Sequence, residues 1–207
     1  TKIKAQSPGD IIITEFMPDP AKVSDASGEW FEVYNTSNHP IDMNGWYISD
    51  GKTKKHTISN TNALTIQTGG FLLFSIKADS TVNGGIIPDY TYSTFTFANS
   101  SGKIVISDAA GVVIDSVSYA NTSSGKSWNL DPKHFKSNEN DNVDNWCTAS
   151  IAYGKGDMGT PKKMNTVCGV TEISQIVTKQ TISLHAMNGE LMVVFPDIVE
   201  KQKRDII

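Results

Sequence analysis

Clustered positive charge is missing from this sequence. Lysine and arginine number 18 against 22 acidic residues, a net charge of −4, and the basic side chains are scattered rather than gathered in a stripe. Phosphate-backbone binding depends on grouped cations, so a nucleic-acid partner is not expected. Long apolar runs are missing as well. The longest, Leu191 to Phe195, falls far short of the roughly 20 residues that cross a bilayer as a helix, so no transmembrane segment is expected. No stretch keeps the i, i+3, i+4, i+7 apolar spacing of an amphipathic helix. There are only two cysteines, Cys147 and Cys168, with no CxxC and no paired histidines, so a zinc site is not expected. His39, His56, His134 and His185 are far apart, and none has a partner at i+2 or i+4. No Gly-x-Ser-x-Gly elbow or glycine-rich phosphate loop occurs, so neither an enzyme nor an organic cofactor is expected. No charged-then-apolar leader opens the chain at Thr1-Lys2-Ile3. Removal of a signal peptide and the lack of one both fit that start.

What is present is a succession of short apolar runs separated by turn residues, the pattern of strands. The runs are Ile11 to Met17, Trp30 to Asn35, Trp46 to Asp50, Leu64 to Ile66, Phe71 to Ile76, Phe95 to Phe97, Lys103 to Ser107 and Val112 to Tyr119. Glycine pairs and Ser-Gly or Ala-Gly steps lie between them, residues that tolerate the positive φ of tight turns. Runs 103–107 and 112–119, joined through Asp108-Ala109-Ala110-Gly111, read as a hairpin. Short strands at this spacing predict an all-β, two-sheet sandwich of immunoglobulin-like size, with a closed barrel as the structural rival. Trp30, Trp46 and their apolar neighbours are expected to fill its interior. From Asn121 to Thr166 the pattern loosens, with Trp128, Phe135 and Trp146 as isolated anchors. A disulfide between Cys147 and Cys168 would close this loop and stabilise by about 3 kcal/mol; two buried thiols are the other reading. Past Cys168, Thr181 to Ala186 and Glu190 to Phe195 flank Met187-Asn188-Gly189, a strong short hairpin signal. The organisation expected is a leader or linker over 1–9, a sandwich domain over 10–166, and a linker with a partial β module over 167–207.

Three segments carry a resemblance. The first is Ile13-Thr14-Glu15-Phe16-Met17-Pro18-Asp19-Pro20. Next comes Gly28-Glu29-Trp30-Phe31-Glu32-Val33-Tyr34-Asn35, followed by Ile41-Asp42-Met43-Asn44-Gly45-Trp46-Tyr47-Ile48-Ser49-Asp50. The third is Trp146, then Gly159-Thr160-Pro161 and Asn165. Together they resemble the lamin tail domain, an immunoglobulin-like family known from nuclear lamins and from secreted bacterial proteins. No heptad-repeat rod or basic nuclear-targeting run accompanies them, so the resemblance points to the bacterial extracellular branch. It implies a non-catalytic, secreted or cell-surface binding or anchoring module of a larger protein, with a protein or a glycan as partner. The alternative it leaves is an accessory domain of a secreted hydrolase, a nuclease or phosphatase, whose catalytic domain lies outside these residues.

Candidate sites are few. Glu29 and Glu32 stand three apart on an extended strand, so they project to opposite faces and cannot act as an acid and base pair; Glu32 is placed to face Glu15 across strands. Asn138 to Asn145 is the densest group of oxygen ligands, and Glu139, Asp141 and Asp144 are its calcium candidates, although the spacing matches no calcium loop. Asp19 and Asp25 are weaker ones. The aromatic stretch Tyr90, Tyr92, Phe95 and Phe97 reads as core or as a stacking platform. Asn35, Asn99 and Asn121 each open an Asn-x-Ser/Thr sequon.

Overall fold

The computed structural model describes residues 6–169, 183–187 and 190–194. Two strands organise the first of its two compact units. In β1 (Ile11–Met17) all seven residues are buried, and in β2 (Trp30–Asn35) all but Tyr34 are. Unbroken burial of this kind requires cover on both faces of the sheet, which is why both runs read as nearly continuous rather than alternating. They pair antiparallel, with a bulge between Ile13 and Glu15 that brings Glu15 opposite Glu32 and Phe16 opposite Phe31.

Short pairs complete two further stretches of the chain: β3 (Ile41–Asp42) pairs with β6 (Thr65–Ile66), and β4 (Tyr47–Ser49) with β5 (Lys55–Thr57). Strand β7 (Phe71–Ser75) lies beside β2, and β8 (Tyr90–Thr91) runs parallel to β7 at the sheet edge. The hairpin expected around Asp108 is β9 (Ser101–Ser107) and β10 (Val113–Ala120). Then come β11 (Trp128–Leu130), β12 (Trp146–Thr148) and a small pair, β13 (Ala152–Tyr153) with β14 (Asp157–Met158). A six-stranded sheet in the order β12-β11-β1-β2-β7-β8 therefore faces a four-stranded one in the order β10-β9-β4-β5. These are the two layers of the immunoglobulin-like sandwich that the sequence predicts, and not a closed barrel.

Between the sheets lies one apolar cluster. Phe16 sits at its centre with Tyr119, Trp128 and Trp146 at ring separations of 5.1, 6.1 and 5.4 Å, and Phe31 stacks on Phe74 at 4.8 Å. Offset and tilted aromatic contacts at these distances add to the burial itself. Trp46 enters the same cluster because Gly45, at φ +81°, turns the chain immediately before it. Trp30 does not. It lies on the other face of the six-stranded sheet with Met17, Leu73 and Ile86, so the expectation that it fills the interior is corrected. The reason is strand alternation: Phe31 and Val33 take the interior face, and Trp30 and Glu32 must then face away.

Phe95 to Phe97 is also not a strand. Its two phenylalanines are buried on an irregular segment, and with Tyr92 they are core rather than a stacking platform. The β3, β5, β8, β13 and β14 pieces are too short and too polar to register as runs. In the second unit, β15 (Ser183–Met187) pairs antiparallel with β16 (Glu190–Val194), Met187 opposite Glu190. The connecting Asn188-Gly189 and the remainder of the partial module lie outside the described residues.

Candidate functional site

The motif residues converge on the outer face of the six-stranded sheet, where the segment after β14 folds back across β1, β2 and β11. Glu15 is fully buried there. Its carboxyl collects Ser127 Oγ at 2.5 Å, the Thr160 N–H at 2.8 Å and Thr160 Oγ1 at 2.7 Å. Burial pushes it up to about 7, against those three hydrogen bonds. Glu32, directly across the strand pair, is equally buried. Its Oε2 accepts the Lys162 N–H at 2.5 Å while Oε1 has no partner among the described residues. Burial first, and then the neighbouring Glu15 charge, raise Glu32 to about 9. Two buried carboxyls facing one another cannot both be ionised at neutral pH, so the pair retains at least one proton.

Local sequence explains how the returning segment meets them. Thr160-Pro161-Lys162-Lys163 closes a turn through the Lys163 N–H on Thr160 O at 2.9 Å, with proline at the second position and Lys162 at φ +62°. This is a type II turn, whose third position ordinarily takes glycine. Lysine in that conformation is strained, and the strain aims its N–H at Glu32. Lys162 Nζ also pairs with Asp89 Oδ1 at 2.6 Å. Gly159 passes so close to the sheet that a Cβ there would lie 2.9 Å from Trp30 Cζ2 and 3.2 Å from Glu15 Oε1.

Asparagines finish the lacing. Asn165 Nδ2 donates to Thr14 O at 2.7 Å, within the bulge, and to Leu130 O at 2.9 Å. Asn129 holds Thr166 by both its N–H (3.1 Å) and its carbonyl (2.9 Å), and Asp131 accepts the Cys168 N–H at 3.1 Å. Cys147 on β12 and Cys168 then form a disulfide with Cα atoms 5.7 Å apart, so the bridge and not the pair of free thiols is the state present. Trp146 covers the interior side of the same edge, its Nε1 donating to Asn140 O at 2.8 Å.

The other motif residues are turn and strand-end devices. Asn35 donates to His39 O and Ile66 O at 2.9 and 3.0 Å. Asp50 caps the β4–β5 turn through the Lys52 and Lys54 N–H groups. Glu29, on the interior side of its strand end, accepts the Phe97 N–H at 3.0 Å and is raised by burial to about 7. His39, His56 and His134 do not hydrogen-bond to Glu15 or Glu32: His56 meets Tyr90, and His134 meets Glu139.

The calcium candidates do not come together as a ligand set. Glu139 Oε2 lies 2.5 Å from His134 Nδ1 and Oε1 2.9 Å from Lys136 Nζ, while Asp141 and Asp144 are exposed. Asp19 and Asp25 are joined through Asn99, whose Nδ2 reaches both at 3.3 and 2.9 Å. Among the described residues no three His, Cys, Asp or Glu side chains gather as a metal-binding group, and none of their helices is long and apolar enough to cross a membrane. Sequence reasoning missed Ser127, Asn129, Asp131 and Lys162. Asn129 and Asp131 leave one faint trace, the alternation Trp128-Asn129-Leu130-Asp131, in which both polar members are buried.

Two concavities bear on binding, one beside this framework and one on the other sheet. One is a groove of about 540 Å³ next to the Thr160 turn, edged by exposed Ile87, Ile151 and Met164. The other, of about 370 Å³, lies at the opposite side of the β4–β5 turn against the start of β9. Compared with known families, residues 4–121 match the model of the lamin tail domain. No curated protein matches the chain.

Proposed function

Because the chain belongs to the lamin tail domain family, we propose that it is a non-catalytic binding or anchoring module of a larger secreted or cell-surface protein, contacting a protein or a glycan. The observation that carries this reading is the use made of the buried carboxyls. Glu15 and Glu32 hold the returning segment onto the sheet, with Thr160 and Lys162 covering them, so they are spent on closure and do not face a substrate cleft. Catalytic carboxyls need access to the bond they act on. The Cys147–Cys168 bridge supports an oxidising compartment, where structural disulfides persist.

Probing the purified chain on glycan and protein arrays tests the reading. Reproducible, saturable binding to one ligand class is the expected result. Binding to neither class would leave only a spacer role and defeat the proposal.

A further inference from the structure

The smaller concavity gathers three lysines. Lys52 and Lys54 line it from the β4–β5 turn and Lys103 from the start of β9, together with Thr96, whose hydroxyl is bonded to Lys54 Nζ, and Ser101, two residues before Lys103. Three ammonium groups stand against one carboxylate, that of Asp50, in a chain whose net charge is −4. Asp50 does not neutralise them by pairing. Its Oδ1 is occupied by the backbone N–H groups of Lys52 at 2.8 Å and Lys54 at 3.0 Å, which rigidifies the turn that carries both lysines. The ion pairs among the described residues are His134–Glu139, Lys136–Glu139 and Lys162–Asp89, and none involves Lys52, Lys54 or Lys103.

One of these lysines is also held in place. Lys54 Nζ is anchored to Thr96 O at 3.2 Å and Thr96 Oγ1 at 2.5 Å, across 42 residues of sequence. Lys103 runs past the turn, since a Cβ on Gly51 would lie 3.7 Å from its Cδ. Beneath them Tyr119 Oη both donates to Ala98 O (3.0 Å) and accepts the Ala98 N–H (3.1 Å), fixing the floor. Gly102 lets that ring lie against β9, because a Cβ there would meet Tyr119 Oη.

From this geometry we propose that the cleft binds a sulfate or phosphate ester carried on a sugar; the inference deepens the binding-module reading above and rests on it. Lysines drawn from separate segments around one cleft suit an oxyanion that presents oxygens in several directions. A planar carboxylate is matched best by the arginine fork, and the described residues contain no arginine. The hydroxyls of Thr96 and Ser101 offer partners to sugar hydroxyls, and a space of about 370 Å³ is that of a small-ligand pocket.

The test titrates the full chain with dextran sulfate, a phosphorylated dextran, neutral dextran and a single-stranded oligonucleotide, at low and at physiological salt. Inorganic sulfate and phosphate are compared by chemical shift perturbation. A variant with Lys52→Gln, Lys54→Gln and Lys103→Gln is set beside a control with Lys77→Gln, Lys126→Gln and Lys133→Gln, three exposed lysines elsewhere. The expected result is binding to one or both charged dextrans and none to neutral dextran. The cleft variant should weaken it roughly tenfold or more and the control by less than about twofold, with perturbed amides in the β4–β5 turn. Whichever inorganic ion perturbs those amides more strongly names the ester. Equal loss in both variants, preference for the oligonucleotide, or no binding to either charged dextran overturns the proposal. If the cleft variant still binds a neutral glycan or a protein on the arrays, the module reading survives without this site. Arrays blank for every ligand defeat both.

Discussion

Glu32→Gln should make the protein more stable at alkaline pH and leave it nearly unchanged in acid. The folded state raises this carboxyl from an ordinary 4.5 to about 9 by burial and by the facing charge of Glu15. A raised acid keeps its proton in the folded chain while the unfolded chain has already lost it. The stability it contributes is therefore complete below about pH 4.5 and declines as pH climbs through the folded value. Between pH 4.5 and about 7.5 the difference spans about three pH units, which at 1.36 kcal/mol per unit sets a ceiling of about 4 kcal/mol. Relaxation of the returning segment around a charged pair reduces that, so a loss of about 2–4 kcal/mol is expected for the wild type across this range. Glutamine cannot ionise, and its carbonyl still accepts the Lys162 N–H. Urea unfolding of both proteins at half-unit steps from pH 4 to 9 provides the comparison. The wild-type curve should slope downward with rising pH and the variant should be flatter, retaining the contributions of the other raised carboxyls, Glu15, Glu29 and Asp115. Parallel curves for the two proteins would show that the carboxyl pair does not hold a proton in the folded state, and the account of the latch would fail.

Three further outcomes follow from the same geometry. Replacing both cysteines by serine, or reducing the bridge, should lower unfolding free energy by about 3 kcal/mol, because the bridge spans 21 residues of sequence; an unchanged urea midpoint would contradict it. Gly159→Ala should cost about 1–3 kcal/mol, since its Cβ would sit 2.9 Å from Trp30 Cζ2 beneath the returning segment; equilibrium unfolding followed by tryptophan fluorescence reads it, and a neutral effect would mean that the segment does not press on the sheet there. A chelator should leave the melting temperature unchanged, because Glu139 is already taken by His134 and Lys136; a downward shift restored by calcium would reinstate a cation site in the 138–145 loop.

The sandwich was legible because its central strands declare themselves. Residues 11–17 and 30–35 are buried on both faces and so read as nearly continuous apolar runs, and the Asp108 to Gly111 turn marks the β9–β10 hairpin by its own chemistry. Phe95 to Phe97 misled for the converse reason: alternating aromatics satisfy the strand pattern, yet one of its backbone N–H groups goes to a side chain, Glu29, and not to a neighbouring strand. Trp30 misled because bulk alone does not say which face a residue takes. Only the register with β1 and β7 assigns it, and register is a long-range property.

The latch was half visible for a physical reason of the same kind. Gly159, Thr160, Pro161 and Asn165 stood out through the resemblance to the family's closing segment, whereas most of the groups they meet did not. That Glu15 faces Glu32 was expected, but not that the bulge between Ile13 and Glu15 sets the pairing or that Thr160 covers it, and Asn129 looks like any polar residue until Thr166 docks on it. A buried carboxyl is costly by itself and becomes tolerable only when donors from a distant segment satisfy it. Glu15 meets Thr160 across 145 residues, and Asn165 meets Thr14 across 151. The polar cost of the outer face and the segment that offsets it are therefore one unit. The sheet cannot keep these carboxyls dry without the return of the chain, and that return has nothing to grip without the carboxyls.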